Sequence, residues 1–270
     1  MSVTVLDYFS SYDLSTGMLV SDTDATKKAR TRRSESWQIV HKLYHEQGWR
    51  SPYQHYQDLL SQVLHRDSVV LDVGCGRCFP LAPQLQQWAG QVYGIDPVAD
   101  ENQVIPGAIL KRADAYKIPY EQGMFDVVTS QSVLEHLDQP IKAFREIHRV
   151  LKPGGAMVFL AANKYDYVSL VAMLLPNVFH GALVKASEGR ALEDTFPTYY
   201  RANSAAQITR LATQSGFNLE KLEYLNQFPY TLMFSATLCR LGIAYDKFIE
   251  RFPGLHWLRG WLLGCLKTQS

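Results

Sequence analysis

The sequence predicts a doubly wound α/β fold, in which helices cover both faces of a mostly parallel sheet. Short apolar runs alternate with helical patterns from residue 69 onward, and the first run ends in a glycine-rich turn. Runs that are apolar on both faces are typical of strands in a covered parallel sheet. The five runs are VVLDV at 69–73, VYGID at 92–96, AILKR at 108–112, FDVVTS at 125–130 and AMVFLAA at 156–162.

The segment before the first strand is predicted to be a polar arm followed by helices. Residues 1–34 form the arm, which is expected to be flexible because its basic run is typical of a solvated chain and less often of a nucleic-acid contact. Ser51, as a cap, and Pro52, in the first turn, predict a helix directly before the first strand. The basic run consists of Lys27, Lys28, Arg30, Arg32 and Arg33.

Two more helical patterns follow the fourth and fifth strands, over 139–151 and 204–215. Each has a capping residue before its first turn and glycine shortly after its last one, which are the usual signals at helix ends. The predicted caps and ends are Asp138 and the run 152–155 for the first helix, and Asn203 or Ser204 and Gly216 for the second.

Composition and charge exclude several classes of protein. The chain is 47% hydrophobic and 20% charged, and its net charge of +1 creates no global field that would attract nucleic acid. No apolar stretch reaches the roughly 18–20 residues that cross a bilayer. The N-terminus does not have the pattern of a signal peptide, so we expect a cytoplasmic protein. Cys75 and Cys78 form a C-x-x-C, but no second pair follows, and neither a metal site nor a redox pair is predicted.

The first strand leads into a turn that could bind a nucleoside. Gly74 and Gly76 permit a tight turn and let a ligand approach the backbone without a Cβ clash. Asp96 closes the second strand, where its carboxylate can accept hydrogen bonds from both hydroxyls of a ribose. In a doubly wound fold, ligands bind beyond the carboxyl ends of the strands, near the point where strand order reverses.

The residues after this turn favour adenosine without phosphate over a dinucleotide. A G-x-G also occurs in NAD(P) proteins, but their fingerprint requires a third glycine where Phe79 stands. A pyrophosphate needs free N–H groups at a helix start, and Pro80 and Pro83 supply none. Asp114 follows the third strand, where an acid could bind an adenine amino group.

The runs VVLDVGCGRCF, VYGIDP, RADAYKIPY, FDVVTSQSVLEHLDQP and HRVLKPGGAMVFLAANK resemble the small-molecule class I S-adenosylmethionine (SAM) dependent methyltransferases. The chain is similar to the type 11 group, which contains the ubiquinone and menaquinone C-methyltransferases, over about residues 50–225. This resemblance implies a seven-stranded, mostly parallel, Rossmann-like sheet with a helical N-terminal cover and helical insertions. It implies SAM as cofactor and S-adenosylhomocysteine as its product.

The resemblance also implies a role for individual residues. One group would lie under the methionine part of SAM, a second would hold the ribose, a third the adenine edge, and a fourth would form the floor near the sulfonium. The family usually has glycine where Cys78 stands, so the conformation of the loop is in question there. The four groups are Asp72, Gly74, Cys75 and Gly76; Asp96 and Pro97; Asp114 and Ala115; and Ser130, Gln131 and Ser132.

Two histidines are candidates for a catalytic base. His136 follows the fourth strand and would face the predicted pocket, where it either takes a proton from the acceptor or packs beside SAM. His180 lies in a long insert over 163–200 that could form a lid, although a surface histidine is the more common interpretation there. No acidic trio with metal geometry can be assigned, so no metal is predicted.

Residues 35–270 are predicted to form a single domain with its core over 66–225 and an apolar helical insert over 228–257. The stretch 228–263 is rich in aromatic and apolar residues with flanking arginines. A peripheral membrane contact, an apolar acceptor pocket, and a helical cover or dimer interface all remain open for it. Gly260–Lys267 is predicted to be the last strand.

The leading hypothesis is therefore a methyltransferase that modifies oxygen or carbon of a small, lipophilic acceptor, with no nucleic acid as partner. Two alternatives remain: a protein that binds SAM without catalysis, and an NAD(P)-dependent oxidoreductase. A nucleic-acid methyltransferase would require a function for the basic run in the arm. The oligomeric state does not follow from the sequence.

Overall fold

The computed structural model describes residues 12–13, 18–19, 35–45, 48–174 and 196–269. His180, most of the predicted arm and much of the predicted lid insert lie outside these residues. The chain divides into two compact units, which are described separately below. The helical unit comprises Met1–Ser51, Tyr165–Phe196 and Asn226–Gly260, and the sheet unit comprises Pro52–Lys164, Pro197–Leu225 and Trp261–Ser270.

The sheet unit contains a seven-stranded sheet with the strand order β3-β2-β1-β4-β5-β7-β6. The first five strands pair in parallel, and β7 pairs antiparallel with both β5 and β6. This confirms the predicted fold class. The order reverses between β1 and β4, so the carboxyl ends of these two strands border the crevice in which ligands of such sheets bind. The strands are β1 Val69–Val73, β2 Gln91–Asp96, β3 Ala108–Arg112, β4 Phe125–Gln131, β5 Leu151–Ala162, β6 Phe217–Leu225 and β7 Trp261–Thr268.

Seven helices belong to the described residues, four of them in the sheet unit (α2, α3, α4 and α6). Near the N-terminus, two strands of two residues each, Tyr12–Asp13 and Met18–Leu19, pair in antiparallel orientation. The helices are α1 over 35–40, continued by a π-helical turn at His41–His45; α2 Pro52–Val63; α3 Ala82–Trp88; α4 Pro140–Val150; α5 Tyr167–Leu174; α6 Ala205–Gln214; and α7 Ala236–Arg251.

The helix ends follow the sequence signals in part. Ser204 caps α6, because its side chain accepts a hydrogen bond from the Gln207 N–H. The predicted cap of α4 was wrong: the capping position is Gln139, without a side-chain hydrogen bond, and the Asp138 carboxylate instead accepts from the Tyr116 hydroxyl at 2.7 Å. The run 152–155 was also placed wrongly, because it belongs to the first half of β5 rather than to a helix end.

Two hydrophobic clusters lie on the two faces of the sheet. Phe144 of α4 and Ile208 of α6 belong to one cluster, and Tyr56 of α2 and Leu85 of α3 belong to the other. Consecutive strand residues point to opposite faces, so the central strands carry apolar residues on both faces. In β1, for example, Leu71 and Val73 pack in the first cluster and Val70 packs in the second. Helices on both sides of the sheet remove these side chains from water.

The helical unit has its own small core. Tyr44 of α1 and Cys239 and Ile243 of α7 pack around Phe228, and the Trp49 ring contacts Phe228 edge-to-face at 5.8 Å. Helical elements fill the stretch between β6 and β7, since the 3-10 turns Tyr230–Leu232 and Pro253–Leu258 flank α7. No helix among the described residues is long and apolar enough to span a membrane.

Two carboxyl groups are buried in the helical unit. Asp246 accepts a hydrogen bond from the Tyr44 hydroxyl at 3.0 Å, and Asp166 accepts one from the Gln227 amide at 3.2 Å. Burial raises the pKa of Asp246 to about 8, with a further contribution from the charge of Asp166, and burial raises the pKa of Asp166 to about 7. Both groups therefore bind protons at a pH where an exposed aspartate is ionised.

Asp246→Asn is expected to stabilise the protein more at high than at low pH. The pKa of Asp246 is higher in the folded than in the unfolded chain, so its stabilising effect is complete below about pH 4 and is lost as pH rises towards 8. Relative to the wild type, the gain in free energy of unfolding should be about 3–4 kcal/mol larger at pH 8 than at pH 5. Denaturant unfolding at both values measures this gain. The exposed Asp67→Asn serves as control, and equal gains in both variants would contradict the assignment.

Candidate active site

The turn after β1 is held in a conformation that favours glycine. Gly74 and Gly76 both have positive φ angles, +81° and +75°, and the N–H groups of Gly74 and Cys75 both donate to the Ile95 carbonyl at the end of β2. Phe79, although not a glycine, has φ +47°. The turn is thus tied to the neighbouring strand and exposes backbone at the carboxyl edge of the sheet.

Asp96 holds this turn from the side. Its side chain is 6% exposed, and its two oxygens accept hydrogen bonds from the Gly76 and Val98 N–H groups, each at 2.9 Å. A carboxylate oxygen has two lone pairs, so each oxygen can accept a second hydrogen bond. The geometry of Asp96 therefore leaves room for two hydroxyl donors of a ligand.

Asp72 has a buried carboxyl group, one oxygen of which lacks a hydrogen bond within the described residues. It is 3% exposed, and within the described part of the chain its Oδ1 has no hydrogen bond. Burial raises its pKa to about 8, and the charge of Asp96 adds to this rise. An unpaired buried carboxylate is costly, so a cationic ligand group beside it would be stabilised. SAM carries such a group in the α-ammonium of its methionine part, and the orphaned Oδ1 fits it.

The loop after the turn packs against β2 in a way that a dinucleotide fingerprint does not. A Cβ on Gly94 would lie 2.6 Å from the Phe79 ring and 2.9 Å from the Cys75 Sγ, so Gly94 is required for their close packing. Burial raises the pKa of the Cys75 thiol, whereas Cys78 is exposed, and both are free cysteines. The large Phe79 ring thus fills the space beside the turn, at the position where NAD(P) proteins have glycine.

Gly74 also packs closely against the loop after β4, where a Cβ would clash with Val133 Cγ2, whereas a Cβ on Gly76 would meet nothing within 4 Å.

Alanine at either Gly74 or Gly76 costs about 1–2 kcal/mol of stability, because both positions have a left-handed backbone. Gly74→Ala should lose about 1–3 kcal/mol more from overpacking. Denaturant unfolding measures both variants, with Gly76→Ala as the matched control. If Val133→Ala does not recover part of the Gly74→Ala loss, the contact is not its cause.

The predicted adenine residues lie at the end of β3. The Asp114 carboxylate is exposed, and its Oδ1 accepts hydrogen bonds from the Tyr116 and Lys117 N–H groups at 2.7 and 3.0 Å. Ala115 is partly buried and Pro97 is exposed. Asp114 therefore shapes its own loop, and its contact with adenine stays a prediction.

The end of β4 provides the predicted floor. Ser130 is buried, Gln131 is half-buried, and Ser132 has φ +56° with its N–H donated to the Leu160 carbonyl at 2.8 Å. Beneath this strand, the fully buried Tyr56 hydroxyl forms a hydrogen bond with Thr129 Oγ1. Burial raises the pKa of Tyr56, and the charge of Asp72 raises it further.

His136 lies in the 3-10 turn Leu134–His136, directly after the floor residues. Its Nδ1 is 2.9 Å from the Pro197 carbonyl oxygen, which can only accept a hydrogen bond. The neutral ring therefore has its proton on Nδ1, and Nε2 carries the lone pair that a base requires. The structure supports the chemical competence of His136, while its role in catalysis stays a prediction.

The hydrogen bond of His136 belongs to a larger set of hydrogen bonds between the segment 197–201 and the residues around His136. The sequence did not predict this set. The N–H groups of Tyr199 and Tyr200 donate to the Glu135 carbonyl at 2.7 and 3.3 Å, and the Arg201 guanidinium donates to the Asp138 carbonyl at 2.6 Å. The Glu135 side chain is buried, and burial raises its pKa. The segment 197–201 is thereby fixed along the turn that carries His136. The sequence carries no signal for these hydrogen bonds, because most of their donors and acceptors are backbone groups.

No group of three or more metal-ligating side chains occurs among the described residues. The other candidate base, His180, lies outside them. Of the predicted site residues in the described ranges, the structure brings Asp72, Gly74, Gly76 and Asp96 into one hydrogen-bonded or closely packed edge.

The sheet order, the turn after β1 and the acidic end of β2 are features that the chain shares with the class I SAM-dependent methyltransferases. A family model described as a methyltransferase domain matches residues 71–159. SAM is the cofactor of this family.

Two relatives and one solved structure make the comparison specific. An uncharacterized methyltransferase of Schizosaccharomyces pombe is 29% identical over 176 residues, 57% of this chain and 59% of the relative. The ubiquinone biosynthesis O-methyltransferase of Pseudomonas paraeruginosa is 35% identical over 117 residues, 39% of this chain and 49% of the relative. The chain thus spans about half to three fifths of these relatives. The [4+2]-cyclase SpnF has a TM-score of 0.51 at 18% identity, covers 80% of each chain, and shares the fold alone.

Proposed function

We propose that the protein transfers a methyl group from SAM to an oxygen or carbon atom of a small, lipophilic acceptor. The observation that carries this proposal is the buried Asp72 carboxyl group, whose Oδ1 has no partner within the described residues, beside Asp96 at the reversal of the strand order. The two groups match the cationic and the hydroxyl-bearing parts of one ligand. A nicotinamide dinucleotide has no ammonium group that could donate a hydrogen bond to Asp72.

Binding follows from the donors and acceptors at this edge. Asp72 would pair with the α-ammonium, Asp96 would accept from the ribose hydroxyls, and Asp114 would accept from the adenine amino group. When bound, SAM supplies a methyl group that its positively charged sulfur makes electrophilic. The chain then has to align the acceptor and exclude water, which are the main contributions of a protein to an in-line displacement.

His136 would remove the proton from the acceptor. The bond from its Nδ1 to the Pro197 carbonyl fixes the ring and places the proton of the neutral ring on Nδ1, so Nε2 would be the basic atom. The segment 197–201 is fixed beside it, so Tyr199 and Arg201 are candidates to orient the acceptor; the Arg201 guanidinium lies 5.6 Å from the centre of the Tyr199 ring.

Two observations support a lipophilic acceptor. The helical unit carries a high density of exposed large apolar side chains, among them Leu170 and Trp257. Among the relatives, one is named for the biosynthesis of ubiquinone and another is a demethylmenaquinone methyltransferase of Lactiplantibacillus plantarum, 34% identical over 110 residues. Quinones with long isoprenoid tails are lipophilic, and apolar surface is what binds such tails.

Titration calorimetry and product release test this function together. Heat is expected with SAM and with S-adenosylhomocysteine, and none with NAD⁺. Incubation with SAM and matched polar and lipophilic phenols should then release S-adenosylhomocysteine only with the lipophilic set. Heat with NAD⁺ alone would favour the oxidoreductase. Heat with SAM but no release with any acceptor, including cell extract, would favour a non-catalytic protein or one that, like the cyclase, uses the fold for another reaction.

A further inference from the structure

Helix α7 in the helical unit has a continuous apolar line on its exposed side. Leu238, Leu241 and Phe248 are exposed, the last two by 61% and 55%, and the half-buried Tyr245 lies on the same line. The spacing of three and four residues places them on one face of a helix. Phe252, directly after the helix, is exposed and packs on Phe248 with ring centres 4.9 Å apart. We call these five residues the apolar line.

Basic residues accompany the apolar line on one side. Arg240, Lys247 and Arg251 are exposed and lie about 80–120° from Leu241 around the helix axis. On the other side, Gly242 and Ile249 are buried in the core of the helical unit itself. The free surface of α7 therefore consists of an apolar line with a basic border.

The acidic residues near this surface do not cancel the basic border. Glu250 lies about 180° from Leu241 and about 60° from Lys247, but among the described residues no ion pair joins Glu250 to Lys247. Asp246 is buried and bonded to Tyr44. Glu35 pairs with Arg240 at 3.1 Å in an exposed ion pair, so Lys247 and Arg251 provide the remaining positive charge.

We propose that α7 docks the protein on the surface of a bilayer that contains anionic phospholipids. A helix with aromatic and leucine side chains on one face and basic side chains beside them is typical of a helix that lies in the membrane interface. The apolar line would enter the boundary of the acyl chains, and Lys247 and Arg251 would meet the phosphates. No described helix spans the bilayer, so the contact is peripheral.

Charge distinguishes a membrane from a second copy of the chain as the occupant of this surface. A twofold dimer places the same surface on both sides of the interface, so two basic borders would approach each other across one apolar contact. Anionic headgroups neutralise the border instead. The proposal is independent of methyl transfer, because it concerns a surface of the chain without SAM.

Vesicle flotation of the full chain tests the proposal. Binding is expected to vesicles of phosphatidylcholine mixed with phosphatidylglycerol, to weaken as salt rises, and to be much weaker on phosphatidylcholine alone. Absence of wild-type binding to the anionic vesicles at low salt would by itself overturn the proposal. Equal binding to both vesicle types without salt dependence would overturn the role of charge.

Variants assign the binding to α7. The pair Leu241→Ser and Phe248→Ser should reduce binding about tenfold or more, because two apolar side chains no longer leave water. Each of Lys247→Gln and Arg251→Gln should cost about fivefold on anionic vesicles only. Leu219→Ser, at a 39% exposed leucine of β6, is the matched control and should bind like the wild type. Equal binding by the serine pair, or a dimer in sedimentation that the pair dissociates, would overturn the assignment.

Discussion

His136→Ala is expected to lower turnover by about 10²-fold while the affinity for SAM stays unchanged. In the neutral ring, Nδ1 donates to the Pro197 carbonyl and Nε2 is the basic atom, so the alanine variant loses this proton acceptor. Release of S-adenosylhomocysteine measures turnover, and calorimetry measures the affinity for SAM.

A second substitution, His136→Asn, distinguishes a catalytic base from a residue that only holds the segment 197–201 by a hydrogen bond. The amide nitrogen of His136→Asn can replace Nδ1 as a donor to the Pro197 carbonyl, but asparagine accepts no proton at neutral pH. If His136 is the base, both variants should be similarly slow. If the asparagine variant keeps full activity, His136 serves only to hold the segment 197–201, and the base lies elsewhere.

The fold follows from the sequence wherever a local pattern and its tertiary environment agree. Strands β1, β2 and β4 have buried apolar residues because helices cover both faces of the sheet, so their composition identifies them within a residue or two. The first half of β5 was missed because Lys152-Pro153-Gly154-Gly155 has the composition of a turn, and Gly154 does have a left-handed φ of +74°. Pairing of Leu151 with Phe125 extends the strand through it, and this contact between distant residues leaves no local signal.

The candidate site, like the fold, could be predicted from the sequence only in part. The glycine turn and Asp96 were predictable because each needs a particular residue type at a particular place beside a strand. The tie between the turn at His136 and the segment 197–201 was not, because its partners are about sixty residues apart and its donors and acceptors are mostly backbone groups. Backbone groups are the same in every residue, so the sequence carries no trace of which ones pair.

Asp96→Ala is expected to weaken SAM binding by roughly 1.5–3 kcal/mol, which corresponds to a factor of about 10 to 100 in Kd. Two effects combine in this variant. The ribose hydroxyls lose a charged acceptor, and the N–H groups of Gly76 and Val98 lose the carboxylate that fixes the turn, at 2.9 Å each. Calorimetry with S-adenosylhomocysteine measures the loss without turnover.

The two effects can be separated because they act on different states. Loss of the loop contacts destabilises the free protein, so it lowers the free energy of unfolding without ligand, whereas loss of the ribose contacts changes only the extra stability that the ligand confers. We expect both quantities to fall. Asp67→Ala removes an exposed carboxylate just before β1, at the opposite edge of the sheet, and should change neither. If Asp96→Ala unfolds more easily but binds the nucleoside as well as the wild type does, Asp96 only supports the loop, and the ribose has to lie elsewhere on this edge.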